Sequence, residues 1–193
     1  MGLTSIRNLK EAKNTSIGGV NRLYLLRYKD LLPLISGERY EVKDSYITDL
    51  YLKDGTIFTE VGLFKNAFDV QEQRVYSSFG TSFLRQSITI NLLGFDDRYS
   101  TFMDVIRGQN LVVLIRGNND KHFILGLKGN LWIKSFNKSI GKVSTDYCGV
   151  TIQFEAEDSL GITLVADDVV KLITTFPESS SFSFPYILPL IFG

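Results

Sequence analysis

The feature that most constrains the fold is the alternation of apolar and polar residues in "SFLRQSITINLLG". Leu84, Ile88, Ile90 and Leu92 share one parity, with Gln86 as an exception, and the residues between them are mostly polar. Successive side chains of a β-strand point to opposite faces of the sheet. The period of two therefore predicts a strand with one buried and one solvated face.

A second segment, "YCGVTIQFEAED", repeats this alternation near the end of the domain. Its predicted inward positions are Val150, Ile152 and Phe154, and its predicted outward positions are Thr151, Gln153 and Glu155. Two such strands call for a sheet whose apolar face packs against another layer. The polar faces are expected to remain in water.

Between these strands, "FDDRYSTFMDVIRGQ" changes to a helical period. Its apolar side chains recur at spacings of three and four, at Tyr99, Phe102, Met103 and Ile106. This spacing predicts one packed helix at about 97–107. Asp96 and Asp97 lie where the helix dipole favours anions, and Gly108 follows as a C-terminal stop.

Turn signals divide the rest of the chain into short strands. Asp54-Gly55 lies between two apolar runs in "SYITDLYLKDGTIFTEV", which predicts a hairpin. The runs "LVVLIR", "KHFILGL" and "LWIKSF" are separated by polar turns and predict a three-stranded meander. A longer polar loop follows at 137–146.

These elements predict a mainly β protein with one short helix, folded as an antiparallel β-sandwich or barrel with extended N- and C-terminal arms. The predicted organisation is an N-terminal arm at 1–21, a β domain at 22–175 and a C-terminal arm at 176–193.

Charge and composition limit the function classes. The 21 basic residues balance the 21 acidic ones, which argues against a protein that works mainly by neutralising phosphates. Cys148 is the single cysteine and His122 the single histidine, so neither a disulfide within the chain nor a Cys/His metal site is expected. No cofactor is predicted.

Several residue groups are candidates for chemistry, but each has a simpler structural interpretation. The carboxylate groups are Asp96-Asp97, Glu155/Glu157/Asp158 and Asp167-Asp168, and a nucleophile and base pair would need Cys148 and His122. We interpret Asp96-Asp97 as a helix start, Glu155 and Glu157 as solvent-facing strand residues and Asp158 as the start of a turn. Cys148 is interpreted as a small hydrophobic residue of a strand. We predict no catalytic, cofactor-binding or metal site.

An aromatic ligand surface is a further candidate. Trp132 and Phe136 are predicted to share one face of a strand, with Lys134 between them, as in a surface for a sugar or single-stranded nucleic acid. Aromatic residues at alternate strand positions more often belong to a core or an interface, and that is the interpretation we favour.

The C-terminal arm, "FPESSSFSFPYILPLIFG", carries no charge after Glu178. Pro177, Pro185 and Pro189 exclude a regular helix, and the apolar run is too short to span a bilayer, so we expect no membrane partner. An extended strap that fills a groove of a partner is the preferred interpretation. The predicted inter-subunit anchors are Phe182, Phe184, Tyr186, Ile187, Leu188, Leu190, Ile191 and Phe192. A weaker second candidate is the N-terminal arm around Leu3, Ile6 and Leu9.

The order of elements resembles that of tail-tube-like proteins of tailed bacteriophages. A long two-faced strand, a short helix, the meander ending in "FILGLKGNLW" and the closing "GVTIQFEAED" carry the resemblance over about residues 45–158. The chain is similar in particular to short tail or connector-ring proteins of phages that infect Bacteroidetes, including the crAss-like group. The ending "FPYILPLIFG" resembles the termini of small tail and neck proteins.

The resemblance implies a virion protein, assembled in the host cytoplasm, whose copies form six-fold or twelve-fold rings. The expected partners are further copies of the chain, neighbouring tail, neck or portal proteins, and double-stranded DNA that passes through the ring without specific binding. The loop at 137–146 is a candidate for contact with a neighbouring ring. The alternatives are a monomeric carbohydrate-binding β-sandwich that uses Trp132, and a small hydrolase or nuclease that uses the carboxylates.

Overall fold

The computed structural model of the chain describes residues 19–61, 68–93, 97–139, 149–158 and 160–174. The strands are, in chain order, β1 (Val20–Arg27), β2 (Glu41–Lys43), β3 (Tyr46–Asp49), β4 (Thr59–Val61), β5 (Phe68–Tyr76), β6 (Ser82–Leu93), β7 (Leu111–Gly117), β8 (His122–Leu125), β9 (Trp132–Ser139), β10 (Gly149–Asp158) and β11 (Thr163–Val165). The helices are α1 (Asp97–Ile106) and α2 (Asp167–Thr174).

The strands form two sheets that face each other. The larger sheet has seven strands in the order β2-β3-β11-β8-β7-β1-β4, and the smaller has four in the order β5-β6-β10-β9. All pairs are antiparallel except β3 with β11. The predicted class, a mainly β sandwich, is confirmed.

One core fills the space between the sheets, and a second covers the opposite face of the larger sheet. Ile88 and Ile152 of the smaller sheet contribute to the first core together with Val113 of the larger one. Leu114, the next residue of β7, packs into the second core, beneath Ile173 of α2. This explains the continuous apolar run of β7, because a strand covered on both faces needs apolar residues at every position.

The predicted helix is confirmed as α1, which begins at Asp97 and ends at Ile106. Tyr99, Met103 and Ile106 are buried against the core between the sheets. Lys138 Nζ of β9 lies 3.5 Å from Ser100 Oγ of α1, so the helix packs at the β9 side of the sandwich. The structure adds α2, where two acidic residues of the first turn precede the buried Val169, Val170 and Ile173.

The predicted hairpin around Asp54-Gly55 is wrong in its pairing. The turn itself forms, with the Thr56 N–H donating to the Lys53 carbonyl at 3.0 Å. However, β3 lies between β2 and β11, whereas β4 pairs with β1 at the opposite edge of the larger sheet. A turn signal specifies local backbone geometry, but the partner of each strand is set by packing at a distance.

The predicted three-stranded meander is also wrong in its last step. β7 and β8 pair as a hairpin, but β9 joins β10 in the smaller sheet. The chain leaves β8 through a turn at Gly126, whose φ of 81° favours glycine. A Cβ there would lie 2.6 Å from the Leu111 carbonyl oxygen, so the crossing needs a residue without a side chain.

Candidate functional site

The hairpin formed by β5 and β6 is exposed towards its tip. All residues from Gln71 to Arg74 are exposed, so this part of β5 is open to solvent on both faces. The turn at its tip is fixed by backbone hydrogen bonds from Ser77 to Thr81 and from Gly80 to Ser77, at 2.8 and 3.1 Å. The hairpin therefore projects as an ordered element and not as a loose loop.

Two aromatic side chains lie at this tip without cover from the described residues. Tyr76 is 72% exposed and Phe79 is 93% exposed. Ser77 Oγ lies 2.6 Å from Thr81 Oγ1 and accepts the Phe79 N–H at 3.2 Å, so the turn that presents Phe79 is held by its own hydrogen bonds. Exposed aromatic residues on an ordered projection are typical anchors of protein interfaces.

β5 also forms one edge of the smaller sheet. It pairs with β6 over nine residue positions, and within the described ranges no strand pairs with its other side. An open edge of this length presents a row of backbone donors and acceptors to a further strand. At the other long edge, β9, Ile133 and Phe136 are packed against the core, as Phe68 is in β5.

A cleft of about 240 Å³ adjoins β5. Its apolar lining comes from Phe68 and Val70 of β5, from Ile115 and Phe123 of the larger sheet, and from Ile162. It also touches Asp69, and it lies between the first residues of β5 and the larger sheet. The cleft and the open edge together form one surface, which we call the β5 edge site.

The outer face of the smaller sheet is polar and its charges are paired. Arg85 Nε lies 3.0 Å from Glu155 Oε1, and Lys134 Nζ pairs with Glu155 Oε2. Arg85 also reaches Glu157 Oε1 at 2.7 Å. A shallow depression of about 400 Å³ lies among these side chains and Gln153.

Glu155 corrects one expectation from the sequence. It points to the outer face as predicted, but it is only 7% exposed because Arg85 and Lys134 cover it. Both of its carboxylate oxygens are engaged by cations. Alternation predicts which face a residue takes, but it does not predict which long side chains fold over that face.

The predicted Trp132 and Phe136 surface is wrong, because the two rings lie on opposite faces. Phe136 is opposite Ile152 and packs towards the core, whereas Trp132 is opposite Glu155 on the outer face, 44% exposed. A β-bulge at Lys134 inserts one residue between them, which reverses the side-chain parity.

The other candidate carboxylates have structural partners or lie at helix starts. Asp158 is buried and accepts the Leu160 N–H at 2.9 Å. Asp167 and Asp168 are in the first turn of α2, where anions are favoured. In the part of the chain that the structure describes, no three His, Cys, Asp or Glu side chains are placed to share a metal ion. Asp96 lies outside the described residues.

His122 begins β8, where its Nδ1 is buried without a hydrogen-bond partner among the described residues. Burial lowers the pKa of His122, and nearby Arg116 adds to the effect. Its proposed partner Cys148 lies outside the described residues, so the pair stays untested. The same holds for most of the 137–146 loop.

The eight predicted anchors of the C-terminal arm also lie outside the described residues, as does the N-terminal candidate around Leu3. Neither described helix is long and apolar enough to cross a membrane. The β5–β6 tip was not predicted from the sequence. A usable signal was present, since "VYSSFGTSF" places a glycine turn and an aromatic residue between two long strand patterns.

No protein-family model, curated protein or solved structure matches this chain. The geometry of the β5 edge site and of the aromatic tip is therefore the basis for assigning a function.

Proposed function

We propose that the chain is a structural virion protein, a subunit of a bacteriophage tail tube or neck ring that assembles with its own copies around a DNA channel. The observation that carries this proposal is the projecting β5–β6 hairpin, with Tyr76 and Phe79 exposed at its tip and an open nine-residue edge along β5. An aromatic anchor and an open strand edge are features that a free monomer usually avoids and an assembly uses.

Ring formation needs a contact between two different surfaces of the same chain. A head-to-tail contact of this kind closes into a ring when the rotation per subunit divides the circle. The hairpin tip adjoins the open edge of β5 at Tyr76, and a contact that joins this region to a different part of a second copy is head-to-tail. The proposed cyclic assembly requires a contact of this kind.

The paired charges of the outer face support passage of DNA without tight binding. Tight binding to a duplex requires cations that are free to neutralise phosphates. Arg85 and Lys134 are instead paired with Glu155, and Arg85 also with Glu157. A channel lined by this face would not hold the duplex by charge.

The test of this proposal is the size of the purified full chain. Light scattering should give a multiple of the monomer mass, and negative-stain electron microscopy should show rings. The double variant Tyr76→Ser/Phe79→Ser should weaken association by about 30-fold, equivalent to ~2 kcal/mol for interface anchors. Its melting temperature should stay unchanged, because both side chains are exposed.

Ile35→Ser is the matched control for the tip variant. Ile35 is a fully exposed apolar residue on a different turn, so its removal should leave association unchanged. A full chain that stays monomeric at high concentration and forms no rings contradicts the proposal.

A carbohydrate-binding module is a second candidate, favoured by the partly exposed Trp132 beside a polar outer face. In this case the monomer should bind glycans, and Trp132→Ala should abolish binding because the stacking surface is lost. Tyr51→Ala, which removes an exposed aromatic ring elsewhere, is the control. A glycan array distinguishes this candidate from the first.

A further inference from the structure

The β5 edge site lacks a described occupant although it has the features of a strand-binding groove. Phe68 and Val70 point inward from β5 at two-residue spacing, with the exposed Asp69 between them. The cleft lies between them and the larger sheet, where Ile115 and Phe123 complete its lining. A peptide strand added to this edge would make backbone hydrogen bonds with β5, and its alternate side chains would enter the cleft.

Residues 182–192 of the C-terminal arm, which we call the C-terminal segment, have the matching pattern. In an extended chain, residues of one parity share both a face and the edge towards which their backbone N–H and C=O groups point. The even positions of this segment are all apolar, namely Phe182, Phe184, Tyr186, Leu188, Leu190 and Phe192. Each of them has a backbone N–H. One edge of the segment can therefore pair fully with a sheet while its apolar face points inward.

Both prolines of the segment fall on the other edge. Pro185 and Pro189 are odd positions, four residues apart, so their missing N–H groups lie on the same side. Proline is tolerated at a sheet edge when that side faces solvent, and it prevents a further strand from adding. The segment is thus suited to add one strand to a sheet and to prevent a further strand from pairing with its other edge.

The match between the two patterns is specific to β5. The triplet Phe182-Ser183-Phe184 is apolar, polar, apolar, like Phe68-Asp69-Val70. The edges of the larger sheet, β2 and β4, have only three residues each. At the remaining long edge, β9, no described residue lines the cleft.

We propose that residues 182–190 of one copy add as a strand to the β5 edge site of a neighbouring copy, with Phe182 and Phe184 directed into its cleft. This inference rests on the proposed ring assembly and names the contact that joins its subunits. Phe182 and Phe184 would be buried in the cleft, and the open edge of β5 would be paired.

The position of α2 favours a neighbour over the same copy. The Ile173 carbonyl accepts the Phe58 N–H at 3.1 Å, on the face of the larger sheet that is turned away from the cleft. Residues 175–181 span at most about 25 Å when fully extended. To reach its own cleft, the segment would have to pass from one face of the larger sheet to the other within that length.

The test is whether a disulfide can join the C-terminal segment of one full-length chain to the β5 edge site of a second chain that carries a different tag. In a Cys148→Ser background, one chain carries Val70→Cys and the other carries Phe184→Cys. A disulfide needs Cβ atoms about 4 Å apart. Oxidation of the mixed assembly should therefore give about ten-fold more disulfide-linked heterodimer than oxidation of a control mixture, in which Glu41→Cys replaces Val70→Cys. A second pair, Asp69→Cys with Ser183→Cys, tests the outward side in case Val70→Cys disturbs the core.

The possible results separate this inference from the proposed function. Rings without heterodimer in either pair overturn the inference and leave the ring proposal in place. A disulfide that forms only within a chain carrying both Val70→Cys and Phe184→Cys, and not between chains, places the segment in its own domain. This result overturns the proposed contact between copies. Chains that form neither rings nor heterodimer contradict the proposed function itself.

Discussion

Replacing Phe154 by alanine is expected to lower the free energy of unfolding by about 3–5 kcal/mol, the usual loss for a large ring removed from a core. Phe154 is 1% exposed at the centre of the smaller sheet. It lies between Ile88 of β6 and Ile133 of β9, its register partners on the two adjacent strands. Neither neighbour can move in to fill the space, because each is held by its own strand pairing.

Chemical denaturation of Phe154→Ala and of Phe79→Ala measures this effect with the same side-chain change at a buried and an exposed site. Phe79→Ala should change stability by less than about 0.5 kcal/mol, as surface substitutions usually do. It should nevertheless weaken assembly, because Phe79 lies at the projecting tip. Equal stability losses in the two variants would mean that the tip belongs to the domain core.

The parts of the fold that could be predicted are those specified by local periodicity. The alternation in β6 and β10 and the three-to-four spacing in α1 each report which face of one element is buried, and all three were confirmed. Gln86, the exception in β6, is buried as its parity requires. Its Nε2 donates to the Leu160 carbonyl at 2.8 Å, which holds the chain as it crosses towards β11.

The errors arose where distant parts of the chain decide the result. Asp54-Gly55 forms a turn, but the strand partners on either side are far away in sequence. The bulge at Lys134 reverses the parity of Trp132 and Phe136, and no residue type near it is diagnostic of a bulge. Both errors concern pairing, which depends on the whole sheet.

The β5 edge site was not predicted from the sequence, and the predicted anchors of the C-terminal arm lie outside the described residues. The strap-like character of the C-terminal segment follows from its prolines and its apolar residues, and its role as an interface stays a prediction. Its proposed groove could not be predicted, because Phe68, Ile115 and Ile162 come from three different parts of the chain. Only the packing of the two sheets brings them to one cleft.

Deleting residues 177–193 is expected to leave a domain with an unchanged cooperative melt but to convert the assembly to monomers. Both described cores are formed by residues between Leu23 and Ile173, and α2 is already bonded to Phe58 at its end. The deletion therefore removes no described core residue. It does remove the apolar residues that we propose to join neighbouring copies, and the loss of several such anchors should weaken association by at least about 1,000-fold, or ~4 kcal/mol.

Parity within the segment provides the matched control for this deletion. In the full chain, Phe184→Ser/Leu188→Ser removes two even residues, whereas Ile187→Ser/Ile191→Ser removes two odd ones. If the segment pairs as a strand on β5, the even variant should dissociate the assembly and the odd variant should largely keep it, since odd side chains face outward. Sedimentation velocity at matched concentrations measures both. Equal loss in the two variants would show that the segment contacts its partner on all sides, and loss of the cooperative melt in the deletion would place it in the core of its own domain.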